Sequence, residues 1–264
     1  MLSVKILPAL QDNYIAVIVC ESKNLFWCID PGDTAAIARF LEAHPTLHCG
    51  GVFCTHHHAD HVDAVPLLVE RFGCTVWGPD HARMKGVATA VIPREITIPL
   101  AGYELSPQAA PLHALLTPGH TVPALSYVLE TFDKRYLFSG DTLFGAGCGR
   151  LFEGSPEQMW SSLQKLRALP DDTLLICGHE YTQTNLSFAE GLGWRSEIIT
   201  LELERVLALR KRDEPTLPRT IALEKETNPF LNADDPELAA ALELAPDTLP
   251  GEVFRILRLK RNSF

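Results

Sequence analysis

Thr55-His56-His57-His58-Ala59-Asp60-His61 decides how this chain is read. Four ligand-type side chains, His56, His58, Asp60 and His61, crowd into six residues. In an extended chain, residues two apart project to the same side. His56 and His58 therefore share a face, and His57 points away and is excluded as a ligand. Asp60 and His61 lie where the chain turns into a helix at Val62, so they face a second direction and could serve a second metal. The apolar run Gly51–Cys54 leads straight into this cluster and reads as a short buried strand.

Three further candidates sit at or just past other apolar runs. His120 follows Leu112–Leu116, Asp141 follows Tyr136–Gly140, and His179 follows Leu174–Gly178. Strand-end loops on a rigid sheet are a common place to build a site. A glycine stands directly before His120, Asp141 and His179 and permits unusual backbone angles there. Neutral imidazoles with carboxylates are a donor set for borderline divalent metals, and two metals sharing a water imply hydrolysis. His56, His58 and His120 can hold one metal. Asp60, His61 and His179 can hold the other, with Asp141 bridging. His44, His48, His81 and His113 stand alone and read as ordinary core or surface residues. Cys54 and Cys177 sit two positions before proposed ligands, but read as small strand residues facing the core.

The 264 residues carry a net charge of −10, with 46% hydrophobic and 21% charged side chains. That balance is ordinary for a globular chain and argues against a nucleic-acid binder. No apolar run approaches the 18 residues of a membrane span, and the N-terminus lacks the pattern of a secretory leader. Seven cysteines, an odd number without a Cys-x-x-Cys pair, are expected to be reduced and mostly buried. A cytoplasmic protein is expected.

The first 180 residues or so alternate between β-like and helical pieces. Strands are expected at Tyr14–Cys20, Leu25–Ile29, Gly51–Cys54, Thr75–Trp77, Leu125–Glu130, Tyr136–Phe138 and Leu174–Cys177. Ile96–Leu116 reads as β-rich and turn-rich. Helices are expected at Thr34–Ala43, Val62–Arg71 and Gln158–Leu169, the last with Trp160, Leu163, Leu166 and Leu169 inward. Such alternation indicates an α/β protein. From about residue 181 helices take over, at Gln183–Glu190, Ser196–Arg212 and Pro236–Leu244, with no strand expected before the last dozen residues. Ile198, Leu201, Val206 and Leu209 form the expected buried side of the middle helix.

THHHADH fits the H-x-H-x-D-H signature of the metallo-β-lactamase superfamily. Asp12-Asn13-Tyr14, Asp30-Pro31-Gly32, Gly140–Phe144, Gly147–Arg150, Phe152–Gly154, Cys177–Thr182 and Thr227-Asn-Pro-Phe230 narrow the likeness. Together they resemble the glyoxalase II (hydroxyacylglutathione hydrolase) family over essentially the whole chain. The resemblance implies a metallo-β-lactamase-like αββα sandwich with a C-terminal helical domain, divided as residues 1–172 and 173–264. It implies hydrolysis of S-D-lactoylglutathione to glutathione and D-lactate, the second step of methylglyoxal detoxification, by a hydroxide held at a binuclear centre. It implies two divalent metal ions, zinc foremost, with iron or manganese as alternatives. The family's ligand pattern falls on the same seven residues. Asp60 and Asp141 are expected to be the catalytic carboxylates.

By the same resemblance, Arg258 and Arg261 match a basic pair that grips the glycine carboxylate of glutathione. Arg150 matches a further basic contact, and Tyr181 a ring that lines the glutathione site. An arginine fork suits a carboxylate because it donates two bonds at once. A monomer acting on a small-molecule thioester, without nucleic acid or membrane, is expected. The sequence departs from the family at Asp63-Ala64, at Val122-Pro123-Ala124, and at Phe152 in place of a substrate-binding Tyr. Two rivals remain: a one-iron glutathione persulfide dioxygenase of the same superfamily, whose relatives lack the helical tail, and a non-catalytic metal or glutathione-thioester binder.

Overall fold

The protein is seen here as a computed structural model that describes residues 2–102 and 110–264. Residues 103–109, part of the stretch expected to be β-rich and turn-rich, lie outside the described residues. The chain forms two compact units: Met1–Leu116 with Pro123–Gly140, and Thr117–Val122 with Asp141–Phe264.

The first unit is built on a mixed sheet. Strands Ser3–Ala9, Asn13–Cys20 and Leu25–Ile29 pair antiparallel, and His48–Phe53, Val76–Pro79 and Ala90–Ile92 continue in parallel. Asn13–Cys20 is buried along its whole length, as a strand covered on both faces must be. Two helices cover one face. Thr34–Ala43 starts where the Asp33 carboxylate accepts the Ala35 and Ala36 amides, which caps orphan donors. Val65–Phe72 ends on Gly73 in the left-handed conformation. Their Ile37, Phe40, Leu41, Val65 and Leu68 pack against Val17, Val19, Phe26, Val52 and Val76. On the opposite side lie antiparallel strands Ile96–Ile98, Leu112–Leu116, Leu125–Glu130 and Arg135–Gly140. Phe53 and Tyr127 meet between the sheets with ring centroids 5.6 Å apart, and the Tyr127 hydroxyl donates to the Cys54 carbonyl at 2.8 Å.

In the second unit, a hairpin pairs Leu143–Phe144 with Gly147–Cys148. Helix Pro156–Arg167 opens on a capping box between Ser155 and Gln158. Strand Leu174–Cys177 then leads into helices Thr182–Gly191, Ser196–Arg210, Ile221–Thr227, Pro236–Ala241 and Pro250–Asn262. Phe230 is a hub of this core, 6.1 Å from Phe188 and 5.8 Å from Phe254 between ring centroids.

Several expectations need correction. Arg219–Thr220 is a short strand paired with Leu174–Leu175, although none was expected there. Helix Val62–Arg71 is two pieces, Ala59–Val62 and Val65–Phe72, because Pro66 can only begin a helix. Helix Pro156–Arg167 buries Met159 and Ser162 beside Leu163 and Leu166, while Trp160 and Leu169 are only half-buried. Helix Ser196–Arg210 buries Ile199, Glu202, Leu203 and Val206, leaving Ile198 and Leu201 exposed. The face is turned because Glu202 goes inward to pair with the fully buried Arg219.

Candidate metal centre and substrate cavity

The first unit brings His56, His58, Asp60 and His61 together directly after strand His48–Phe53. Asp30, which holds φ +51 just after strand Leu25–Ile29, organises them. Its Oδ1 accepts the Thr55 amide at 2.7 Å, and its Oδ2 accepts the Thr55 hydroxyl at 2.6 Å and His61 Nδ1 at 3.0 Å. With Nδ1 donating, Nε2 of His61 carries the lone pair, 3.6 Å from Asp60 Oδ2. The Thr55 hydroxyl in turn takes the Nδ1 proton of His56 at 3.0 Å. His56 Nε2 lies 3.0 Å from His58 Nδ1, so both nitrogens face one spot. Asn13 donates to Asp60 Oδ2 at 3.0 Å. Gly32 is required beneath them, because a Cβ there would lie 1.6 Å from the Asp60 carbonyl oxygen. His57 stacks on His81, at 3.9 Å between centroids and 8° between planes.

The second unit brings His120, Asp141 and His179 together. Asp141 Oδ2 lies 3.4 Å from His120 Nε2 and 3.4 Å from His179 Nε2, midway between two imidazoles. His120 Nδ1 donates to the Arg150 carbonyl at 2.8 Å, so again Nε2 carries the lone pair. The Tyr181 ring stacks on His179 at 4.8 Å, and Phe144 meets it edge-on at 5.9 Å. Two of the three preceding glycines adopt positive φ: Gly119 at +153 and Gly140 at +50. Gly178 does not, so conformational freedom explains only the first two.

These observations fit a metal. Several imidazoles have one nitrogen committed to a carboxylate, hydroxyl or carbonyl and turn the other toward further ligand-type atoms. That is how metal-ligating histidines are oriented. The thiols do not join them. Burial raises both Cys54 and Cys177, the latter to about 12, so they stay protonated core residues.

A cavity of about 470 Å³ opens beside His120 and Asp141 in the second unit. Arg150, Tyr181, Arg258 and Arg261, all expected from the sequence, line it together with Phe144, Cys148 and Asn185. Among the described residues none of the three guanidinium groups forms an ion pair. Burial, then the neighbouring charges of Arg258 and Arg150, hold Arg261 below the usual range. A pocket of mutually repelling cations favours an anionic guest. Arg258 is only 7% exposed and already donates to the Cys148 carbonyl at 2.8 Å and the Asn262 side chain at 3.0 Å. Arg261 donates to Asn185 at 3.1 Å.

Residues 29–179 match the Metallo-beta-lactamase superfamily, and residues 180–264 match the family described as Hydroxyacylglutathione hydrolase C-terminus. A hydroxyacylglutathione hydrolase from Shewanella baltica is 41% identical over 250 residues, covering 92% of this chain and 90% of its own. This chain belongs to that family. A second member, from Pseudoalteromonas translucida, is 38% identical over 270 residues and covers all of both chains. The crystal structure of ETHE1 from Myxococcus xanthus shares the fold. Its TM-score is 0.64 at 24% identity, over 97% of this chain and 95% of that one. The fold is therefore the metallo-β-lactamase fold with a C-terminal helical domain, as the sequence resemblance implied.

The departures from the family pattern are accommodated locally. Ala64 is fully buried and its amide donates to the Pro31 carbonyl at 2.9 Å. The Val122 amide is held by Glu153 at 2.8 Å. Phe152, 61% exposed, packs edge-on against the His120 ring on the cavity wall at 5.2 Å.

Sequence reasoning missed the residues that orient the ligands. Asp30, Asn13 and Thr55 carry no ligand spacing of their own, and Asp30 and Asn13 stood out only as family markers.

Proposed function

We propose that this chain hydrolyses S-D-lactoylglutathione and related glutathione thioesters to glutathione and a hydroxy acid. Family membership carries the reaction class, thioester hydrolysis, EC 3.1.2.6. The single observation that carries the substrate is the cationic cavity beside the Asp141 pair of imidazoles. His56, His58 and His120 would hold one divalent metal, and Asp60, His61 and His179 the other, with Asp141 completing the donor set. Zinc is the ion we favour, because an imidazole-rich set with carboxylates suits it. Two such ions lower the pKa of a bound water to roughly 7 and polarise a carbonyl oxygen.

The chain's own residues do the rest. Asp141 keeps His120 and His179 at a fixed separation. Asp60, oriented by Asn13, accepts the hydrogen bond that aims the attacking water. Arg261 and Arg258 bind the glycine carboxylate, Arg150 adds a further cationic contact, and Tyr181 lines the glutathione backbone. The leaving thiolate needs little protonation, so no strong general acid is required.

We place the division between catalytic and glutathione-binding domains at 172/173, and the enzyme in the cytoplasm as a monomer. All seven cysteines are free, which suits a reducing compartment. Among the described residues no helix is long and apolar enough to cross a membrane. Purified protein supplied with S-D-lactoylglutathione should release thiol, lose that activity to a chelator, and regain it with zinc. Absence of thiol release from metal-replete protein would overturn the proposal.

A further inference from the structure

We infer that Asn228 and Glu224 are positioning residues for the two imidazoles that flank Asp141, acting through the Leu143–Cys148 hairpin. The inference rests on the metal-dependent hydrolase reading above.

Both side chains are wholly buried. The Asn228 amide group donates to the Phe144 carbonyl at 3.3 Å, the Gly147 carbonyl at 3.0 Å and Glu224 Oε2 at 3.0 Å. Its Oδ1 accepts the Phe230 amide at 3.0 Å, which fixes the orientation of the group. Glu224 Oε2 also accepts the Ala146 amide at 2.8 Å, at the tip of the hairpin. Ala146 holds φ +53, a left-handed conformation that is unfavourable for a non-glycine residue. The Glu224 bond secures the chain at that strained point. The other Glu224 oxygen is fixed by Arg219 Nε. Asn228 and Glu224 thus grip both arms and the tip of one short hairpin.

The hairpin touches both imidazoles. Its first arm carries Phe144, edge-on to His179 at 5.9 Å and to Tyr181 at 5.3 Å. Two residues past its second arm, the Arg150 carbonyl accepts His120 Nδ1 at 2.8 Å and sets the tautomer that turns the Nε2 lone pair toward Asp141. Between them, a Cβ on Gly149 would lie 1.9 Å from the Asp141 carbonyl oxygen, so there is no slack. A shift of the hairpin must move the Arg150 carbonyl and the Phe144 ring together. The apolar Phe230 core beneath explains why the gripping groups are buried. It does not explain why they converge on the segment that orients His120.

A purely structural role would lower thermal stability alone. A positioning role also loosens metal. The test compares zinc loss from the zinc-loaded protein to excess EDTA, read with a zinc indicator, in three forms. Asn228→Ala removes both direct hairpin contacts and the bond to Glu224, and spares every proposed ligand. Glu202→Gln breaks the other Arg219 partner without touching the hairpin, and serves as the control for destabilisation. Zinc loss at least tenfold faster, and kcat at least tenfold lower, are expected for Asn228→Ala. Glu202→Gln should melt earlier yet release zinc at the unsubstituted rate. Equal zinc release in the two variants would overturn the inference. Should Asn228→Ala fail to fold, Asn228→Asp keeps the volume and the acceptor for the Phe230 amide, and carries the same expectation and the same refutation. If the unsubstituted protein binds no zinc, the hydrolase reading falls and this assignment with it.

Discussion

The two compact units present their proposed metal ligands in opposite ways. In the first, four ligand-type side chains occupy six consecutive residues, and one buried carboxylate, Asp30, orients them. In the second, His120, Asp141 and His179 come from three distant loops, and their spacing depends on a hairpin pinned by buried polar groups. The first arrangement is fixed by short-range chain geometry. The second is fixed by packing, and it carries the cationic cavity.

The comparison breaks most visibly at its centre. Asp141→Ala removes the oxygen shared by His120 and His179. Activity should fall more than about a hundredfold, with bound metal lost in parallel, as elemental analysis of the purified variant will show. Full activity in that variant would remove Asp141 from its bridging role. Next in size is Arg219→Ala, which leaves Glu202 and Glu224 buried without their shared cation. Unfolding in denaturant should show a loss of about 3–5 kcal/mol. A loss below about 1 kcal/mol would mean that the triad does not organise the second unit.

Asp30→Asn tests the other unit. It keeps the shape but weakens the acceptor of His61 Nδ1, so metal affinity or activity should fall about 10–100-fold. Unchanged zinc affinity would show that Asp30 serves the strand turn alone. Smaller still is Arg261→Ala, expected to raise KM for the thioester about tenfold while kcat stays within a few-fold, since the contact is remote from the reacting carbonyl. A fall in kcat with KM unchanged would assign Arg261 to the chemistry instead.

The mildest effect concerns pH. Burial opposes the Glu202 carboxylate, but Arg205 and Arg219 outweigh it and hold its pKa below the ordinary range. A depressed folded-state pKa contributes stability that is present above the unfolded value, roughly 4.3, and disappears as pH falls through the folded one. Melting temperature should therefore drop more steeply below about pH 4 in the unsubstituted protein than in Glu202→Gln. Parallel curves would assign the acid sensitivity elsewhere.

What was legible in the sequence follows the same division. The strands that end on His56, Asp141 and His179 announce themselves by continuous apolar runs, and the His cluster by spacing. Helix Thr34–Ala43 is legible to the residue from its apolar period. Strand Ser3–Ala9 was not, because Lys5 and Pro8 interrupt an already weak alternation. The inward face of helix Ser196–Arg210 was misjudged because apolar periodicity cannot foresee a buried ion pair. Ile198 and Leu201 were chosen where Glu202 goes in to meet Arg219. Asp30, Asn228 and Glu224 were invisible as site residues for a related reason. Their partners lie up to 84 residues away, and only the folded chain brings the groups together.

Counting metal ions per chain in protein that is actively cleaving S-D-lactoylglutathione tests the whole scheme most directly. The scheme predicts two ions, lost together with turnover when the protein is dialysed against a chelator. A fully active enzyme holding one ion, or none, would contradict it.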